Sequence, residues 1–132
     1  MTIAVDASAI VAILLDEPEK KTFSHTLSIS DRLIMSPVGY WEAVIRVRQL
    51  HGDAGVLRLD RLMTTLDITI MPASETTARL AADAESRFGK RTSARLNLGD
   101  CFAYAMAKEH GAPLLFKGDD FGQTDLTAAS PA

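Results

Sequence analysis

Four acidic positions stand where an alternating chain turns from strand to helix. Asp6 follows the apolar run Ile3-Ala4-Val5. Glu42 lies shortly after Ser36-Pro37, and Asp100 opens a helix that starts at Asn97. Asp119 and Asp120 follow the apolar run Leu114-Leu115-Phe116. In an open parallel sheet the carboxyl ends of the strands share one edge, and ligands bind in the crevice there. Carboxylates far apart in sequence would meet at that edge. Clustered like charges destabilise one another. A hard divalent cation, bound through oxygen ligands, would neutralise them.

Each acid also has a plain explanation. Asp6 is a favoured helix cap. Asp100 stands three residues after Asn97, close to a capping-box arrangement. Asp119 and Asp120 suit a turn, and Glu42 a solvated helix face. These explanations do not account for all four positions falling at one sheet edge. Other chemistries fit poorly. His25, His51 and His110 are scattered and lack zinc spacing. Cys101 has no CxxC partner and reads as a small buried residue. Nucleophile-elbow and glycine-rich phosphate loops are absent from the sequence.

The elements that must position the acids are legible in outline. Thr2 to Val5 reads as a strand, followed by an apolar helix to about Leu15, stopped at Glu17-Pro18. Glu19 to Ile29 is a second helical stretch, and Leu33 to Met35 the second strand. Ser36 with Pro37 starts a helix running to about His51, where Gly52 fits a stop. Asp53 to Leu66 continues as another helix, antiparallel to it, with Val56, Leu59, Leu62, Met63 and Leu66 at helical spacing. Asp67 to Met71 is the third strand. Ser74 with Thr77 begins a helix that Gly89 ends. Lys90 to Arg95 is loop-like and basic. Asn97 to Glu109 is the last helix and Pro113 to Phe116 the fourth strand. Lys117 to Gln123 is a loop, and Leu126 to Ala129 a possible short edge strand. This alternation predicts parallel βα units around one sheet of four to five strands.

Composition sets the remaining bounds. The 132 residues suit one domain, residues 1–132, and 47% hydrophobic content can supply a core. No apolar run is long enough to span a bilayer, so no membrane partner is expected. The N-terminus lacks a basic region before its apolar run, which argues against a signal peptide. One cysteine fits a reducing cytoplasm. A net charge of −3 argues against coating nucleic acid by bulk charge. It leaves room for a basic rim at Arg87, Lys90, Arg91 and Arg95, to which Arg46, Arg48 and Lys117 are possible additions. The plain reading of that run is solvated surface. Aromatic residues are few, so a broad base-stacking platform is not indicated.

The sequence resembles PIN-domain ribonucleases, in particular VapC-type toxins of bacterial type II toxin–antitoxin systems, over almost its whole length. Ile3-Ala4-Val5-Asp6-Ala7-Ser8 is similar to the family's opening strand and first acid. Ser36-Pro37-Val38-Gly39-Tyr40-Trp41-Glu42 is similar to its second acidic motif. Leu96-Asn97-Leu98-Gly99-Asp100-Cys101-Phe102-Ala103-Tyr104-Ala105 is similar to its third, and this is the most specific. Pro113-Leu114-Leu115-Phe116-Lys117-Gly118-Asp119-Asp120-Phe121 is similar to its last strand and fourth acid, for which Asp120 is preferred to Asp119.

The resemblance implies a three-layer α/β/α fold, Mg²⁺ or Mn²⁺, RNA as substrate, a cognate VapB-type antitoxin and a homodimer. On that basis Asp6 and Asp100 are the expected metal ligands, with Glu42 and Asp120 completing a catalytic set. Ser8, Asp119, Thr124 and Asp125 are expected to support the site or the substrate. The main rival is a receiver-like Mg²⁺-binding signalling module, which Lys117 after the fourth strand would suit. That class needs an acceptor Asp after the third strand, and Ile68-Thr69-Ile70-Met71-Pro72 offers none. A phosphatase with an Asp-x-Asp nucleophile is weakened by Asp6-Ala7-Ser8. A PIN fold kept only for interaction is disfavoured by the presence of all four acids.

Overall fold

The structure is a computed structural model that describes residues 1–129; residues 130–132 lie outside the description. The elements run β1 (Thr2–Val5), α1 (Ala7–Leu14), α2 (Lys20–Ser28), β2 (Arg32–Met35), α3 (Pro37–Thr65), β3 (Ile68–Ile70), α4 (Glu75–Phe88), α5 (Leu98–Glu109) and β4 (Leu114–Leu115). A 3-10 turn at Phe121–Gln123 follows. The strands form one sheet in the order β3-β2-β1-β4, and every pairing is parallel.

Alternation along the strands divides the core into two layers. Ile3, Val5, Leu33, Met35 and Leu115 pack on one face with residues of α1, α2 and α3. Ala4, Ile34 and Leu114 pack on the other face with α4, α5 and Phe121. Both faces are covered, so the strands read as near-continuous apolar runs rather than alternating ones. This is the expected three-layer α/β/α arrangement.

The order of the strands locates the crevice. From β1 the chain steps outward to β2 and β3 on one side. It then crosses back to place β4 on the other side of β1. The reversal between β1 and β4 is a topological switch point, and ligands of open α/β sheets bind outside the strand ends there. Asp6 follows β1, and the segment Lys117-Gly118-Asp119-Asp120 follows β4.

Some boundaries match the sequence reading and others shift. The two antiparallel helices expected on either side of Gly52 are present as the two halves of α3, which breaks at Gly52 (φ 64°, ψ −156°). Glycine occupies a backbone conformation there that costs an L side chain dearly. The chain folds back at this point: Tyr40 Oη donates to Asp60 Oδ1 at 2.6 Å across twenty residues. A straight helix would separate residues so spaced by about 30 Å. β3 begins one residue late because Asp67 has φ 53°. β4 is limited to Leu114–Leu115. The expected edge strand at Leu126–Ala129 reduces to one parallel bridge, Leu114 to Ala128. No helix among the described residues is long and apolar enough to cross a membrane.

Candidate metal centre at the strand ends

Asp6 is placed by β1 and by the start of α1. Its backbone N–H donates to Leu115 O at 2.9 Å, which ties it to β4. Its Oδ2 accepts from Ser8 N at 3.0 Å and from Ser8 Oγ at 2.5 Å. Ser8 Oγ in turn accepts from the Lys117 backbone N–H at 2.9 Å. Ser8 therefore links the first acid to the residue that follows the β4 segment. Asp6 caps α1, so the plain explanation for it is correct as far as it goes. A cap needs no burial, however, and Asp6 is only 4% exposed. That burial, with a smaller push from Asp100, raises its pKa from 3.8 to about 6 against the pull of the Ser8 hydrogen bonds.

Glu42 reaches the same place from the first turns of α3, where Ser36 caps the helix and Pro37 opens it. Its pKa is pushed from 4.5 to about 7 by burial, then by Asp6 and Asp100. Asp100 stands at the start of α5. It forms a capping box with Asn97: Asn97 N donates to Asp100 Oδ2 at 3.0 Å, and Asp100 N donates to Asn97 Oδ1 at 2.8 Å. Its pKa is also raised, by burial and then by Asp120, while the Asn97 hydrogen bond and Lys90 pull it down. Asp120 is exposed, yet it is the member of the Asp119–Asp120 pair whose charge reaches Asp100.

Three elements thus bring Asp6, Glu42 and Asp100 into electrostatic range of one another, and the loop after β4 brings Asp120 within range of Asp100. The carboxylates stand apart rather than converged. Among the described residues no three Asp, Glu, His or Cys side chains lie close enough together to form a ready-made ion cage. The donor chemistry nevertheless fits a hard divalent cation: every donor is a carboxylate oxygen. In both Asp6 and Asp100 the cap hydrogen bonds fall on Oδ2 and leave Oδ1 out of them.

Gly99 is the residue that sequence reasoning missed. A Cβ built there would fall inside the Glu42 carboxylate. With no Cβ on Gly99, the Glu42 carboxylate lies directly against α5, and such close approach is one of glycine's recognised uses. The available signal was a glycine inside a helix, immediately before an acid, at a position where alanine would favour the helix by about 1 kcal/mol.

The remaining candidates divide by position. Thr124 and Asp125 brace the loop rather than join the acids. Thr124 Oγ1 donates to Phe121 O at 2.7 Å. Asp125 accepts from Tyr104 Oη at 2.7 Å and pairs with Lys108 at 3.1 Å. Arg87 is engaged in the same brace, 3.4 Å from both Asp83 and Asp125 and stacked over Phe88. Lys117 is held by Glu17 at 3.0 Å and Glu19 at 3.4 Å, so its ammonium turns towards the segment after α1. Arg48 lies 3.7 Å from Asp53. Lys90, Arg91, Arg95 and Arg46 make no ion pair among the described residues, and Lys90 is near enough to act on Asp100. Asp119 is exposed. A cleft of about 460 Å³ lies beside the acids between α4 and α5, lined by Ala78, Ala81, Lys90, Leu98 and Phe102. Its walls are mostly apolar and include none of the four acids, so the chemistry belongs to the strand-end crevice instead.

An all-parallel α/β sheet with acids at its switch point defines a class of open α/β folds that bind ligands outside the strand ends. Within that class the chain belongs to the PIN-domain family, whose model matches residues 3–126. It is 38% identical over 125 residues to a protein named ribonuclease VapC from Mycolicibacterium smegmatis, covering 94% of this chain and 97% of the relative. Its fold is similar to that of the Mycobacterium tuberculosis toxin VapC20, described as cleaving the sarcin–ricin loop. There the TM-score is 0.80 at 14% identity, over 98% of this chain and 99% of that one. A toxin–antitoxin complex from Klebsiella pneumoniae contains a similar chain, with TM-score 0.69 at 16% identity over 93% and 92%.

Proposed function

We propose that this protein is a Mg²⁺- or Mn²⁺-dependent endoribonuclease and the toxin of a toxin–antitoxin pair. The observation that carries the reading is that Asp6, Glu42 and Asp100, from three separate elements, stand within electrostatic range of one another at the switch point, each with its pKa raised. Like charges are gathered there at a cost to the fold, as functional sites often require. The relative named as a ribonuclease supports RNA as the substrate class.

In this reading Asp6 and Asp100 would hold the cation, and Glu42 and Asp120 would complete the site directly or through water. When bound, the cation supplies Lewis acidity that makes water a competent nucleophile and steadies charge on the leaving oxygen. The protein's own groups do the rest. Ser8 fixes the rotamer of Asp6, and Gly99 admits Glu42. Lys90, with Arg91, Arg95 and Arg46, offers phosphate contacts at the rim. His25 lies on α2, His51 beside the α3 bend and His110 at the far end of α5 from Asp100. No histidine pair is thus placed to cleave RNA through its own 2′-hydroxyl.

The partner is an antitoxin, supported by the Klebsiella pneumoniae toxin–antitoxin complex, and in this reading it is small and covers the acidic mouth. A homodimer working in the cytoplasm completes the reading. The test is to incubate the purified protein with a panel of tRNAs, rRNA fragments and mRNA, in Mn²⁺, Mg²⁺ or EDTA. Metal-dependent cuts bearing 5′-phosphate and 3′-hydroxyl ends are expected. Products ending in 2′,3′-cyclic phosphate would refute the mechanism.

A further inference from the structure

Trp41 and Leu98 are among the most exposed large apolar side chains described, at 60% and 70%. Each immediately precedes one of the two residues that touch at the centre of the site: Trp41 precedes Glu42, and Leu98 precedes Gly99. Neither belongs to the packed core on either side of the sheet. Leu98 lines the cleft between α4 and α5, whereas Trp41 is left exposed next to an acid of the site, an exposure that gains the fold nothing. The helix around Trp41 extends the pattern. Ile45 stands one turn on and Arg48 two turns on along the same face, with Arg46 one turn beyond Glu42. Arg46 and Arg48 are exposed, and Arg48 has only a loose surface pair.

We infer that Trp41 stacks on a nucleobase of the RNA next to the scissile phosphate, while the cations of α3 hold the neighbouring backbone. This rests on the nuclease reading above and adds to it a contact that recognises a base. An aromatic face beside cations is the combination that binds single-stranded nucleic acid. A lone exposed indole offers one stacking surface, so the preference it creates is for an unpaired base at one position. Double-stranded substrate, with its bases already stacked, would not satisfy it.

Trp41 is the only tryptophan of the chain, so its emission reports the contact directly. The full-length Asp100→Asn protein in Mg²⁺ is titrated with a short single-stranded oligoribonucleotide, and separately with an abasic oligomer of equal length and charge. Quenching by the first and not by the second is expected. Trp41→Ala in the same background should weaken binding of the base-bearing oligomer roughly 5- to 100-fold. Trp41→Phe should keep most of the affinity, and neither change should alter abasic binding or the melting curve. Equal binding of the base-bearing oligomer by Trp41→Ala, with unquenched emission in the parent, overturns the stacking contact. If wild-type protein still cuts RNA in Mn²⁺, the nuclease reading survives that result. Failure of both oligomers to bind, with no cleavage by wild type, overturns both.

Discussion

The four acids are placed by local rules and left unstable by global ones. Asp6 and Asp100 each satisfy helix-start amides with one oxygen, as acidic residues do at that position. Their burial together with Glu42 is unfavourable for three negative charges. The pKa of Asp6 rises from 3.8 to about 6, and that of Glu42 from 4.5 to about 7. Between about pH 4 and pH 7 the folded protein therefore holds protons that the unfolded chain has released. Stability in EDTA should be fully expressed below about pH 4 and should fall as pH climbs through 6 and 7, so far as these two groups set it. The Asp6 shift alone corresponds to a loss on the order of 3 kcal/mol across that window. Melting curves in EDTA from pH 4.5 to 8 should show the decline, and Asp6→Asn should flatten it. A bound cation favours the charged form of every ligand, so Mn²⁺ should restore most of the loss at pH 7.5 and little at pH 5. A melting temperature in EDTA that does not change with pH would mean that these carboxylates are solvated surface groups.

The elements explain how such charges reach one edge of the sheet, and also where the sequence alone stops. The ends of β1 and β4, the Ser36 cap of α3 and the Asn97 cap of α5 are all visible as residue patterns. The acids were legible because each sits within a few residues of such a signal. The approach of α3 to α5 was not legible, because no local pattern encodes the distance between two helices remote in sequence. Gly99 is the trace it leaves. Gly99→Ala should push aside the Glu42 carboxylate, the flexible end of its side chain, with little change in stability. It should weaken Mn²⁺ binding, which calorimetry reads while a melting curve checks the fold. Unchanged Mn²⁺ affinity would remove Gly99 from the site. The basic run shows the same limit. As a sequence it reads as one stretch, but Arg87 is committed to Asp83 and Asp125 while Lys90, Arg91 and Arg95 are not. Neutralising Lys90, Arg91 or Arg95 should lower the salt slope of RNA binding by roughly one unit per lost phosphate contact. Neutralising Arg87 should chiefly loosen the Tyr104–Asp125 brace and lower the melting temperature. Equal salt slopes in all four variants would leave the run as solvated surface.

At the scale of the whole molecule, strand order decides between classes that gather acids around Mg²⁺. A receiver-like sheet runs 2-1-3-4-5, whereas this one runs β3-β2-β1-β4. Lys117, the residue that made the receiver reading attractive, is clamped by Glu17 and Glu19. The layers and the parallel sheet followed from alternating strand and helix signals. The strand order did not, because the sheet's reversal depends on packing of the completed βα units. With the switch point at β1 and β4, substrate and antitoxin share one acidic mouth in the proposed reading. A saturating antitoxin should then release RNA from the Asp100→Asn protein in a competition experiment, and simultaneous tight binding of both would contradict the shared mouth. The cation is the centre of the account, and Asp100 is the acid on which it is tested best. Asn at this position keeps the side-chain oxygen that accepts from Asn97 N, so the α5 cap survives and only the charge is lost. The decisive measurement is the rate of RNA cleavage in Mn²⁺ by wild type and by Asp100→Asn, each confirmed folded by its melting curve. Wild type should cut only when metal is present, and Asp100→Asn should be slower by about 100-fold or more, as expected when a group acting on transition-state charge is removed. Cleavage by folded Asp100→Asn at the wild-type rate would show that the strand-end acids are not the catalytic centre.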